Sequence, residues 1–410
     1  MRDHELRRSV VGEMHLRRWP QVVVPSRIVQ WVAIVPEAER AAEYSAISAR
    51  SNHQRANPAH RAGTLSPGVR FAWERHSEGS SLALFAEDGA DLAEAMAWAE
   101  TLPLQVLRAT TIRVVADDAA AEAVLPELEL ISDELVSCRI GDRVRMWSDF
   151  RIKPDGFGHL AVAANGAEPG DLTRQLQRLQ ELGNYRNRAL LGLPVARGAW
   201  PRLDKAEERL AALASRVADT AADDDELMSE LSALSLELMA VTTAIGFRMD
   251  ATEAYARLVE ERLEQLECRP IPGFASLIDF TQRRFLPAAN TCRATTRRAR
   301  ELSVRAAELS SLLRARIEAR IEGQNAQLLR SMERSAKTQL RLQQLVEGFS
   351  VIALSYYLLS LAKLVFEGAE KHWHAFDAKL LIALLVVPTL LTIWLILRAL
   401  KHRVLGDGEG

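Results

Sequence analysis

Two carboxylates and an imidazole recur at every second position of the run Trp73-Glu74-Arg75-His76-Ser77-Glu78. Successive side chains of an extended strand point to opposite faces, so Glu74, His76 and Glu78 share one face and Trp73 and Arg75 the other. An imidazole between two carboxylates is a donor set for a divalent cation, and also a set of groups able to move a proton. Glu13 and His15 join this set if the N-terminal segment folds back onto the strand. The same residue types equally make an ion-paired strand face with no chemistry of its own.

A second set lies in the most apolar part of the chain. Ser350, Ser355, Tyr356 and Ser360 are polar positions there, and Glu367 and Glu370 follow. Gathered around an axis by several copies, they would line a pore with acids at its mouth. His372-Trp373-His374 comes just after, where such residues meet a cation or, more ordinarily, anchor an interface. There is no phosphate loop, no Gly-x-Gly-x-x-Gly, no His-Glu-x-x-His and no Gly-x-Ser-x-Gly. No enzyme class is therefore marked. No cofactor is evident, and a divalent cation is the one candidate.

The elements that must position these groups fall into two regimes. Up to about residue 165 the pattern is mixed. Residues 27–35, 69–76, 81–86, 111–115, 134–140, 143–150 and 158–164 read as strands, with helices over 37–51 and from the cap Asp91 to about Glu100. Ser-Glu-Gly-Ser at 77–80, Gly141-Asp142 and Lys-Pro-Asp-Gly at 153–156 read as turns. This is a partly antiparallel sheet with helices on one face. From Asp171 onward the chain is helical, over 171–191, 202–220 and 227–267. Breaks are expected at 193–196, 198–201 and 221–226, and at Arg269-Pro-Ile-Pro-Gly273, with a short helix ending near Pro287. Residues 289–345 contain no proline and carry 12 Arg and Lys against 5 Asp and Glu, a net charge of +7. Apolar positions recur there at Leu302, Leu309, Leu313, Ile317, Ile321, Leu328, Met332, Ala336 and Leu340. They form one stripe without a strict heptad, to be packed on other helices or on a second copy.

Residues 349–366 carry one charge, Lys363, and residues 380–397 none. Eighteen helical residues span roughly 27 Å, about the thickness of a hydrocarbon core. Arg330, Arg334, Lys337 and Arg341 precede the first stretch, and Arg398, Lys401 and Arg403 follow the second. The connecting loop balances its charges. The positive-inside rule then places both flanks, and both termini, in the cytoplasm. The basic flanks suit anionic lipid headgroups.

Composition agrees. The chain has 410 residues, 48% apolar and 26% charged, which is globular. A net charge of -2 argues against a nucleic-acid partner. Cys138, Cys268 and Cys292 form no Cys-x-x-Cys pair and no disulfide framework, which suits a reducing compartment, and no apolar signal core follows the first residues.

Val69-Arg-Phe-Ala-Trp-Glu-Arg-His-Ser-Glu78, Ser148-Asp-Phe-Arg-Ile-Lys-Pro-Asp-Gly-Phe157, Gln324-Asn-Ala-Gln-Leu-Leu-Arg-Ser-Met332 and Gln339-Leu-Arg-Leu-Gln-Gln-Leu-Val-Glu-Gly-Phe-Ser-Val351 are distinctive. In this order they resemble a bacterial domain-of-unknown-function family of membrane-anchored proteins with two C-terminal spans, over nearly the whole chain. The resemblance implies topology and no activity. The chain departs from it at Gly79, where the family usually has an aromatic, and in the early run Glu13-Met-His-Leu-Arg-Arg-Trp-Pro20. The layout is also similar to that of CorA-type cation channels, but their Gly-Met-Asn motif is missing, since the chain reads Val365-Phe-Glu-Gly-Ala-Glu370.

The expected fold is α+β. An α/β cytosolic domain (1–165) precedes a helical domain (166–288), a long basic helix or stalk (289–348), a transmembrane hairpin (349–397) and a cytosolic tail (398–410). The expected function is a membrane-anchored scaffold or regulator in the inner membrane, a homo-oligomer. An oligomeric CorA-like channel is the alternative, and a metal-dependent enzyme the third reading.

Overall fold

The structure, a computed structural model, describes residues 3–14, 17–51, 59–219, 221–370 and 378–406. In chain order the elements are α1 (Arg7–Glu13), β1 (Ser26–Ile34), α2 (Arg40–Ala49), β2 (His60–Ser66), β3 (Val69–His76), β4 (Gly79–Glu87), α3 (Ala93–Glu100), β5 (Gln105–Val115), α4 (Asp118–Val124), β6 (Val136–Ile140), β7 (Val144–Ser148) and β8 (Gly158–Ala163). Then come α5 (Pro169–Leu190), α6 (Gly192–Ala218), α7 (Asp224–Gln265), β9 (Arg269–Pro270), α8 (Leu277–Phe280), α9 (Leu286–Glu370) and α10 (Ala378–Gly406). The chain forms two compact units, Met1–Ser311 and Leu312–Gly410.

The nine strands make one sheet in the order β2-β3-β4-β1-β5-β8-β7-β6-β9. Only β5 and β8 pair in parallel. The α+β organisation expected from the sequence is thus present, with one correction: helices cover both faces. On β1, Ile28 packs into a core shared with Leu172, Leu176 and Leu179 of α5, while Val29 and Trp31 pack with Ile47 of α2 and Ala95 and Ala99 of α3. A strand so placed is apolar at consecutive positions, because both of its faces are covered. The β3–β4 turn is tighter than expected, as His76 pairs directly with Gly79 and leaves Ser77 and Glu78 as the two turn residues. The strands β2 and β9 and the helix α4 were not legible: β2 lacks apolar alternation, and β9 is two residues long.

Three expected helix breaks are absent. Helix α6 runs through both residues 193–196 and Pro201. Ala196, Ala199, Leu203 and Ala206 are buried on both sides of the proline, and this packing offsets the hydrogen bond that proline removes. The helix that starts at the Ser276 capping box does not end at Pro287 either. It continues through a π-helical turn, Thr281–Phe285, into α9. A proline ring clashes with the carbonyl four residues back, here Arg283, and the widened turn gives that clash room.

The helical part packs by a spacing that large residues alone did not reveal. Leu203, Ala206, Leu210 and Leu213 of α6, Leu227, Leu231, Leu234, Leu238, Val241 and Ile245 of α7, and Cys292, Thr295, Ala299, Leu302, Ala306 and Leu309 of α9 are buried. Their steps alternate between three and four, the pattern of helices packed at a shallow angle. Ion pairs join the same helices, Arg298 to Asp204 and Glu207, and Arg293 to Glu253. In the second unit, Ile321, Leu328, Met332 and Leu340 are at least half exposed.

Three helices are long and apolar enough to cross a membrane by length and composition, over Asp224–Gln265, Leu277–Gly368 and Ile382–Ala399. The sequence had suggested two. The additional one, α7, owes its apolar ladder to packing against neighbouring helices, and its Glu237 and Arg248 are held by Arg209 and Glu78.

Candidate functional site

The run Trp73–Glu78 ends against α5 and α7, on the face of the sheet opposite α2 and α3. Strand parity sorts it as expected. Trp73 turns to α2, where its indole Nε1 and the Ser80 hydroxyl both donate to the buried Glu43 carboxylate. Glu74 and His76 face the other way. Glu74 Oε1 accepts from Arg17 Nη1 at 3.0 Å. Burial lifts the Glu74 carboxyl above its ordinary range, against the pull of Arg17. Burial, with the charges of Arg188 and Arg17, pushes His76 down to about 3, so its imidazole is neutral at neutral pH. Its Nε2 lies 3.4 Å from Ser81 Oγ. Glu78 sits in the turn and pairs with Arg248 at 2.7 Å.

The three expected ligands do not converge. Each carboxylate is taken by an arginine, and the imidazole is flanked by cations. No group of three or more His, Cys, Asp or Glu side chains among the described residues could hold a metal ion. Glu13 closes α1, but its side chain and the whole of His15 lie outside the described residues.

The residues that do converge come from α5 and α7. Tyr185 and Tyr255 stack at 6.1 Å with planes 20° apart, and Ser77 Oγ lies 3.5 Å from the Tyr255 hydroxyl. Burial and the neighbouring Glu181 carboxylate push Tyr185 up to about 12. Glu181 accepts from Arg262 Nε at 2.6 Å. Arg188, only 4% exposed, lies 6.0 Å from the Tyr255 ring, and among the described residues neither Nη1 nor Nη2 has a hydrogen-bond partner. The cluster is largely buried, electropositive and flanked by aromatic rings. No local signal in the sequence marks it, since Ser77, Arg188 and Tyr255 come from distant parts of the chain. The arginine that falls on the apolar stripe of α5 (Leu172, Leu176, Leu179) is Arg186, which belongs to the neighbouring group.

A second buried arginine group lies along the same interface. Arg108 Nη1 donates to Gln180 Oε1 at 2.8 Å and Asn184 Oδ1 at 3.0 Å. Arg186 lies 4.6 and 4.9 Å from the rings of Phe150 and Phe280. Desolvation lowers these two to about 9 and about 10. Gly183 is required beside Arg108, because a Cβ there would stand 2.8 Å from the guanidinium carbon.

The candidate pore residues are scattered around α9. Ser350 Oγ donates to its own helix at Val346 O, Ser355 is buried, Ser360 is half-buried, and Tyr356 is 67% exposed. Glu367 pairs with Lys363. The Glu370 side chain and His372-Trp373-His374 lie outside the described residues. Gln344, Glu347, Gly348 and Val351 of α9 line one cleft with Trp394, Leu397 and Arg398 of α10, so the second helix returns beside the first.

The family described as a protein of unknown function (DUF3422) matches residues 2–404 of the chain. No curated protein and no solved structure matches it.

Proposed function

Because the chain belongs to that family, and the family is one of unknown function, we propose from the chain's own physics that it is a membrane-anchored scaffold or regulator. A hairpin made by the end of α9 and by α10 holds its α+β body at the cytoplasmic face of the inner membrane. One observation carries this reading. The apolar windows of these two helices are 6% and 0% buried, with Phe349, Leu364, Val365, Leu384 and Val387 all about two-thirds exposed. Contiguous apolar surface of this extent is far beyond what a soluble monomer leaves in water. The basic residues before and after the hairpin favour one side of the bilayer for both flanks, with anionic headgroups beside them.

The anchor is tested by truncation. A chain ending at Leu345 is expected in the soluble fraction after lysis, and the full chain in the membrane fraction. If the truncated chain still sediments with membranes at high salt, the hairpin is not what holds it.

The exposed stripe from Ile321 to Leu345 supports self-association, since a second copy of the same helix offers a matching apolar face. Light scattering of the detergent-solubilised protein is expected to give a multiple of 45.6 kDa after subtraction of detergent. A strictly monomeric mass removes this part of the reading.

A further inference from the structure

Charge accounting around Tyr185 and Tyr255 leaves one cation over. Four guanidinium groups (Arg17, Arg188, Arg248, Arg262) meet three carboxylates (Glu74, Glu78, Glu181). Arg17 takes Glu74, Arg248 takes Glu78, and Arg262 takes Glu181. His76 is neutral and adds nothing. Among the described residues, Arg188 remains, with neither of its buried terminal nitrogens having a hydrogen-bond partner. An uncompensated buried charge is costly, and one aromatic face 6.0 Å away does not replace hydrogen-bond acceptors for its two terminal nitrogens.

We infer that Arg188 is the centre of a binding site for a small oxyanion, a phosphate or carboxylate group. A guanidinium presents two parallel N–H donors that match two oxygens of such a group. The neighbours complete the chemistry. The hydroxyls of Tyr255 and Ser77 and the neutral imidazole of His76 are uncharged hydrogen-bonding groups, and Tyr185, held in its protonated form, is a further donor. The carboxylates that would repel an anion are neutralised by their own arginines. The rim consists of the Arg17–Glu74 and Arg248–Glu78 pairs, whose side chains are 13–24% exposed, so access requires only that one of these pairs swing aside. The site is independent of membrane attachment.

The test uses the full chain in a neutral detergent, with inorganic phosphate and acetate as separate probes at matched ionic strength against chloride. Calorimetry is expected to show one oxyanion per chain, with a matching rise in the melting temperature that chloride does not give. Preference for phosphate identifies a phosphate-bearing ligand, and preference for acetate a carboxylate. Arg188→Lys keeps the charge and loses the paired donors, and is expected to weaken binding at least tenfold while leaving the far-ultraviolet circular dichroism unchanged. Arg188→Met is expected to abolish binding. Unchanged affinity in folded Arg188→Lys, or no response of the wild-type chain to either probe, overturns the site and leaves buried water as the partner of Arg188. Because wild-type binding is itself a readout, failure of Arg188→Met to fold does not rescue the proposal.

Discussion

Asp149→Ala is expected to cost about 3–5 kcal/mol of stability, the range for stranding one member of a buried ion pair. The Asp149 side chain is fully buried and that of Lys153 is 7% exposed, with Oδ2 and Nζ 2.5 Å apart. The carboxylate also accepts from the backbone N–H groups of Ile131 at 3.1 Å and Arg151 at 3.0 Å, and Lys153 donates to Glu129 O at 2.6 Å. Removing Asp149 leaves a buried ammonium with one carbonyl. It also releases the loop that seats Phe150, at φ +55°, against Phe280 at 4.4 Å. Asp149→Ala with Lys153→Met should recover part of the loss, because neither charge is then left alone. Burial by itself raises the Asp149 carboxyl, but the hydrogen bonds from Lys153, Arg151 and Ile131 and the Lys153 charge outweigh it, and the folded value lies below the ordinary one. A depressed folded value contributes stability above the unfolded pKa of about 3.9 and loses it as pH falls through the folded value. The acid limb of the wild-type stability curve should therefore flatten in the double variant. Tryptophan fluorescence melts from pH 7 to pH 3 measure both effects. A loss under 1 kcal/mol for Asp149→Ala would mean that the pair does not hold the loop.

Gly79→Ala should be as damaging for a different reason. A Cβ at position 79 would stand 1.9 Å from the Ala33 carbonyl oxygen and 2.9 Å from Ile34 Cα. Both are backbone atoms of β1, a strand flanked by β4 and β5, so neither can move without shifting the centre of the sheet. A loss beyond about 4 kcal/mol, or failure to fold, is expected. The chain's departure from its resemblance at this position thus has a local cause: here the backbone of β1 occupies the space that a side chain would need. Gly246→Ala on α7 is the control. Its Cβ meets nothing within 4 Å, and alanine in a helix interior should raise stability by roughly 0.4–1 kcal/mol. Equal, small effects of the two substitutions would show that β1 and β4 are further apart than described.

The parts of this fold legible in the sequence are those with a local cause. Strand β3 was read to the residue because Val69 to His76 alternate and a short turn follows. The apolar helices were read because length and composition suffice. Position 201 misled because a proline was weighed without the packing on either side of it. The three-and-four spacing of α9 was missed because Thr295, Ala299 and Ala306 are small, and small residues do not register as a stripe. The partners of Glu74 and His76 were out of reach for a further reason. Arg17, Arg188, Tyr185 and Tyr255 lie as many as 181 positions away along the chain, and only the packing of α5, α7 and the segment before β1 onto the sheet brings them together. The distinctive run at 148–157 has a physical basis: Asp149 must be an acceptor, and Gly156 must hold φ +84°.

The sheet has two ends, and both are blunted. One is β9, two residues long with Pro270, which has no N–H to offer a neighbour. The other is β2, where His60, Arg61 and Gly63 replace the apolar alternation that a donated strand would need. Growth by strand addition is therefore disfavoured at either end. Any contact between copies would have to use a surface other than these two strand edges.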